Sequence, residues 1–149
     1  TPFLTILLTL LLIALINHTK LGMAMRAVSK DYETSQLMGI RINKVISATF
    51  AIGSLLAFVG SVLYFTDRMT VFPFSGTLPG LKCFVAAVLG GIGSIPGAVI
   101  GGFILGIGET ALVALGYSTF SDAFTFAILI VMLLFRPTGL FGEKVTDKV

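Results

Sequence analysis

The sequence predicts an all-α, polytopic integral membrane helical bundle that contains a Gly/Pro-broken helix pair. Three observations carry that expectation. Of 149 residues, 56% are apolar and only 11% are charged, with a mean hydropathy of +1.03; a soluble domain carries roughly 25% charged residues. Val45–Thr66 is a run of 22 uncharged residues, about 33 Å as a helix and enough to cross a hydrocarbon core of about 30 Å. The charges gather between the apolar runs rather than along them. So little charge cannot clothe a water-facing surface, which excludes a soluble globular domain and with it most enzymes and nucleic-acid binders. It also excludes disorder, which needs the opposite composition.

Taken in order, the first apolar run is Phe3–Ile16. It has no basic flank before it and no small-residue cleavage site after it, so it is a poor signal peptide. We expect a first helix that is cut short, in a fragment of a longer chain. Asn17–Lys44 is a polar loop, and Val45–Thr66 is the clearest span. Cys83–Gly108 is again uncharged but is broken at Gly90-Gly91-Ile92-Gly93-Ser94-Ile95-Pro96-Gly97. Leu81–Leu89 is too short to cross alone, Ala98–Leu115 is long enough or nearly so, and Ala123–Phe135 comes last, extending back toward Phe120.

Lys20, Arg26, Lys30, Arg41 and Lys44 lie in the first loop, and Arg136, Lys144 and Lys148 in the tail. With both segments cytoplasmic, eight of the ten Lys/Arg are inside, as the positive-inside rule expects. Parity then requires an odd number of crossings after Asp67. The broken run satisfies this either as two crossings or as one re-entrant excursion, and the sequence leaves both open.

Four features are candidates for function. The loop 17–44 holds a helix-like patch, Lys30-Asp31-Tyr32-Glu33-Thr34-Ser35-Gln36-Leu37-Met38, stopped by Gly39. Glycine ends helices because it accepts positive φ, and acidic Asp31 and Glu33 suit a helix start. Such a helix either docks into a groove on a soluble partner or lies on the membrane surface. The second feature is the break itself, with Gly90, Gly91, Gly93, Ser94, Pro96 and Gly97. It is either a discontinuity beside a transport path or a tight turn between antiparallel helices. It is not a nucleotide loop: Pro96 stands where a dinucleotide fingerprint needs its third glycine, and no Gly-Lys-Ser/Thr occurs in the chain.

The third feature is a ladder of Gly93, Gly97, Gly101 and of Gly102, Gly106 at helical spacing, which reads first as close helix packing. The fourth is Glu109, the only acid between Asp67 and Asp122, set after eleven apolar or glycine residues from Ala98. A carboxylate at such depth is costly and reads as functional by default, through structural pairing or by lining a path. Cys83, the single cysteine, excludes an internal disulfide and a cysteine metal cluster, and is expected to pack as a small apolar residue. His18 reads as an interface residue, and Asp67 with Arg68 as an interfacial pair. No carboxylate, His and Cys set converges, so no catalytic residue and no metal ligand is expected.

Gly22-Met23-Ala24-Met25-Arg26-Ala27-Val28 with Leu37-Met38-Gly39-Ile40 resembles the cytoplasmic loop of branched-chain amino acid ABC transporter permeases. Val88 to Ala98 is similar to that family's most distinctive motif, and Arg136-Pro137-Thr138-Gly139-Leu140-Phe141-Gly142 to its C-terminal signature. Order and spacing agree, so the resemblance covers essentially residues 1–149, and it is closest to the smaller of the two permease subunits. It implies a multi-pass permease of the bacterial inner membrane, roughly twice this length. Its partners would be a second permease subunit, two cytoplasmic ATPases and a periplasmic amino-acid-binding protein. This chain would bind no cofactor, ATP and Mg residing on the ATPases. The coupling helix would fall on Lys30–Met38 within the 17–44 loop. Glu33 and Gly39 keep the spacing found in importer loops, while Thr34 and Ser35 replace the usual alanines and the Ile-x-Leu-Pro ending is absent.

Two rival readings accompany this expectation. One is an ABC permease for urea or short amides. The other, from a different class, is an ion-coupled secondary carrier or channel that uses Glu109.

Overall fold

A computed structural model describes residues 2–142 of the chain. They divide into two compact units, one up to residue 71 and one from residue 72, and each is considered by itself.

The first unit contains α1 (Pro2–His18), α2 (Lys20–Lys30), α3 (Tyr32–Leu37) and α4 (Ile42–Arg68). The polar loop expected at 17–44 is therefore mostly helical. Its helix-like patch is divided at Asp31: Lys30 closes α2, Asp31 caps α3, and Met38 lies just beyond α3. Between α1 and α2 the chain bends by 79°. Thr19 makes the bend by taking an extended conformation (φ −102°, ψ 152°). Its hydroxyl donates back to the carbonyl of Leu15 and accepts the amide of Gly22 at 3.1 Å. At Gly22 a Cβ would run into the backbone of Ile16, so only glycine lets α2 fold over the end of α1.

Helix α4 has 27 residues, five more than the uncharged run, because the polar residues at each end continue the turn. Along its length Thr49, Ser54, Ser61 and Thr66 donate their hydroxyls to carbonyls three or four residues earlier, at 2.6–2.8 Å. That is how polar side chains are tolerated where no water is available. Its large apolar side chains point outward, Phe50 being 72% and Phe58 68% exposed, the inverse of a soluble helix. At its end the Arg68 guanidinium sits 5.2 Å from the ring centre of Tyr64, and Met69 closes the helix with φ 53°.

The second unit is a three-helix block: α5 (Thr77–Gly90), α6 (Ile95–Ala114) and α7 (Ser121–Phe135), with a 3₁₀ turn at Ser118–Phe120 before α7. α5 begins four residues before the expected apolar run and still has only 14 residues. At about 21 Å it is shorter than a hydrocarbon core. α5 and α6 form an antiparallel hairpin. Val85, Leu89 and Leu105 make its core, against which Ile128, Leu129 and Met132 of α7 pack. Cys83 is exposed on α5; the expectation that it packs inside is corrected, because the helix turns its Val85–Leu89 side toward α6 and α7. Among the described residues, three stretches are long and apolar enough to cross a membrane, α4, α6 and Ser118–Phe135, or four if the bent α1–α2 pair counts as one span.

Candidate functional site

The 90–97 break is a tight turn between antiparallel helices. Gly91 and Gly93 have φ of 102° and 99°, values that side chains with a Cβ rarely adopt. Ser94 then caps α6, its hydroxyl accepting the Gly97 amide at 3.3 Å, and Pro96 sits in the first turn where its missing N–H is not needed. Of the glycine ladder, Gly97 and Gly101 touch α5. A Cβ on Gly97 would meet the Gly90 carbonyl, and one on Gly101 would meet the Ala86 carbonyl. Gly102 lies in ordinary contact with the Ala86 side chain, whereas Gly93 and Gly106 face open space. The helices are thus closest at the turn and diverge away from it.

The C-terminal signature folds onto this same turn. The amide of Leu140 donates to the carbonyl of Leu89 at 3.0 Å, and that of Phe141 to the carbonyl of Gly90 at 3.1 Å. These carbonyls belong to the last turn of α5, where no intrahelical partner exists. Gly139, at φ 79°, lies directly against Gly91. Two motifs separated by some forty residues are therefore one structural joint.

At the opposite end of the block lies a polar cluster. Lys82 Nζ of α5 is 3.0 Å from Glu109 Oε1 and 3.1 Å from Oε2, and 2.9 Å from Asp122 Oδ1 of α7. The fully buried Thr125 of α7 donates its hydroxyl to Glu109. One lysine thus joins carboxylates from two other helices. Of the two readings of Glu109, structural pairing is what the geometry displays. Sequence reading missed Lys82, Asp122 and Thr125, since pairing across 27 and 40 positions leaves no local signal. Asp122 offered one hint, standing in the first turn of α7 where acids are favoured.

In the first unit, α3 is built from its caps. Asp31 accepts the Thr34 amide at 3.2 Å and the Thr34 hydroxyl at 2.5 Å, while Ser35, buried, donates to the Asp31 carbonyl at 2.7 Å. At the other end the Ile40 amide bonds to the Ser35 carbonyl and the Gly39 amide to that of Gln36, both within 3.2 Å, with Gly39 at φ 81°. This is the Schellman arrangement. Leu37 and Met38 are left 86% and 78% exposed, with Tyr32 also outward. A cleft of about 360 Å³ between α3 and the start of α4 is lined by Tyr32, Gln36, Ile40, Arg41, Asn43 and Lys44.

The Thr34 hydroxyl and amide hold the Asp31 carboxyl below the ordinary carboxylate range. A depressed pKa contributes stability above the unfolded value, and that contribution fades as pH falls through the folded one. Acidification below the ordinary carboxylate range, or Asp31→Ala at neutral pH, is therefore expected to fray α3. Lower amide protection factors at Thr34 and Ser35, each taken against the intrinsic exchange rate at the same pH, with α4 unaffected, are the measurable result.

Among the described residues no group of three or more His, Cys, Asp or Glu gathers to hold a metal ion. Among the described residues, three helices of membrane length stand with shorter helices, an ion-paired cluster and a capped short helix, consistent with a permease helical bundle. A family model described as "Branched-chain amino acid transport system / permease component" matches residues 1–133, and the chain belongs to that family. It is 43% identical over 97% of its length to the high-affinity branched-chain amino acid transport system permease protein LivH of Escherichia coli, covering 47% of that protein. It is 44% identical over 90% of its length to the corresponding permease protein BraD of Pseudomonas aeruginosa, covering 44%. The ribose import permease protein RbsC of Escherichia coli is 29% identical over 79% of the chain and is covered over 39%. The chain spans about half the length of these curated relatives, and no solved structure matches it.

Proposed function

We propose that this chain is part of the membrane-spanning permease subunit of an ATP-driven importer for branched-chain amino acids. The carrying observation is the 43% identity to LivH, which runs over 97% of the chain and so through the surface helix, the glycine turn and the polar cluster alike. In this reading the protein sits in the inner membrane with a second permease subunit, two cytoplasmic ATPases and a periplasmic binding protein. ATP and Mg belong to the ATPases, and no cofactor belongs to this chain. Its half of the permease contributes to the translocation path.

Helix α3 and Gly39 form the coupling element. Exposed Leu37 and Met38 offer apolar side chains to a groove on the ATPase. The cap hydrogen bonds and the buried Ser35 make α3 a short rigid lever that packs on α2, which in turn packs on α4. ATPase closure moves the lever, α4 follows, and the permease alternates its opening as a rigid-body change. Against a carrier that uses Glu109 as its coupling group stands the engagement of both Glu109 oxygens by Lys82.

The full-length permease expressed with its ATPase subunits tests this. The wild type should co-purify with the ATPases and accumulate leucine only when ATP is hydrolysed. Leu37→Glu/Met38→Glu should stay in the membrane yet lose the ATPases. Leucine uptake independent of ATP, or an unchanged complex in the double variant, would overturn the assignment.

A further inference from the structure

We propose that Lys82 is a positioning residue which, together with the glycine turn, locks α5, α6 and α7 into one body that moves as a unit during transport. The proposal rests on the permease reading above.

The block is fastened at both ends. At the turn, Gly90, Gly97 and Gly101 bring the backbones of α5 and α6 into contact, and Leu140 and Phe141 bond the last carbonyls of α5. At the far end, Lys82 reaches α6 through Glu109 and α7 through Asp122. Val85 and Leu89 pack between these two fastenings. A helix of 14 residues is too short to hold itself across a bilayer. Sliding or tilting α5 against α6 would part the Lys82 pairs and expose two helix-end carbonyls, the latter unfavourable at membrane depth. The break in the chain is then a fixed joint rather than a gate, and the motion of transport lies outside α5–α6–α7.

Lys82 is more important in this scheme than Glu109. Without Glu109, Lys82 still joins α5 to Asp122. Without Lys82, two carboxylates that shared one ammonium group are left without it, and among the described residues no other Lys or Arg contacts them.

A Cβ on Gly102 would stand 4.0 Å from the Cβ of Ala86, inside the usual span for a disulfide. In full-length permease with its ATPases and with Cys83→Ala, the pair Ala86→Cys/Gly102→Cys should close on oxidation. Leucine uptake should stay within about twofold of the reduced form, as a crosslink inside a rigid body demands. Uptake that stops on oxidation and returns on reduction would overturn the proposal, as would failure of the disulfide to form. If the reduced variant hydrolyses ATP and takes up leucine, the permease reading stands whichever way the crosslink result falls.

A second arm examines Lys82. Lys82→Met should lower uptake about tenfold, Glu109→Gln should lower it less because Asp122 still holds Lys82, and Lys82→Arg, which keeps a cation between the two carboxylates, should recover most of the loss. A merely space-filling lysine would show no such recovery. Glu109→Gln abolishing uptake while Lys82→Met is silent would also sink the proposal.

Discussion

Replacing Gly97 by leucine is expected to remove most of the protein from the membrane. The added Cβ would meet the carbonyl oxygen of Gly90, and the backbone offering that oxygen has nowhere to retreat. Gly90 is itself in contact with Gly97 and Ala98, and its carbonyl is held by the Phe141 amide. Overpacking a tight interior costs about 1–3 kcal/mol. The upper end applies where backbone must move rather than a side-chain tip, and about 3 kcal/mol is about a hundredfold in the folded ratio. Parting the helices would also loosen the Leu140 and Phe141 bonds and the Gly139–Gly91 contact, so the C-terminal segment comes away with them. Gly106→Leu is the matched control, because nothing lies within 4 Å of a Cβ there. Membrane abundance and detergent melting temperature of the two variants read the difference. Equal levels of Gly97→Leu and wild type would contradict the seam.

The contrast between these two glycines marks how far the sequence can be read. Spacing places Gly93, Gly97 and Gly101 in one row and Gly102 and Gly106 in another, but it carries no information on where along those rows a neighbour crosses. Gly97, Gly101 and Gly102 meet α5, while Gly93 and Gly106 meet nothing. Gly108, which the ladder leaves out, lies under the ring of Phe124, and Gly22 under the backbone of Ile16. The apolar runs themselves were legible because membrane length and the absence of charge are local properties. α4, α6 and α7 lie where hydropathy puts them, α4 and α7 extended by polar residues and α6 begun earlier at the Ser94 cap. α2 was hidden because its residues are mixed in character: an amphipathic helix at a bend looks like a polar loop when the bend residue, Thr19, is not recognised as a cap. The joint between the Gly90–Gly97 turn and the Arg136–Gly142 signature was invisible as a contact. The two segments meet through main-chain hydrogen bonds, which leave almost no trace in side-chain identity beyond the glycines that permit them.

Gly39→Val should leave the protein in the membrane and leave ATP hydrolysis running while leucine uptake falls, if α3 is the coupling lever proposed above. The reason is conformational rather than steric. Nothing lies within 4 Å of a Cβ at Gly39, but its φ of 81° is a conformation that a β-branched residue adopts only at a cost of about 1–3 kcal/mol. That strain is relieved if the residue swings to negative φ, which breaks the Ile40–Ser35 and Gly39–Gln36 hydrogen bonds closing α3. Ile40 then no longer leaves α3 in the fixed direction that places Ile42 and Val45, the buried residues at the start of α4. The lever remains and can still sit on an ATPase, but its joint to α4 becomes loose. Push on α3 is absorbed at residue 39 and not passed on. Gly39→Asn should be much milder, because asparagine tolerates the left-handed region. ATPase activity and leucine uptake measured together in proteoliposomes distinguish the outcomes. Uptake per ATP should fall several-fold in the valine variant and stay near wild type in the asparagine variant. A parallel loss of hydrolysis and uptake would mean instead that Gly39 serves ATPase docking. Unchanged uptake per ATP in Gly39→Val would show that the turn transmits nothing, and the coupling path would then have to leave α3 through α2 rather than through α4.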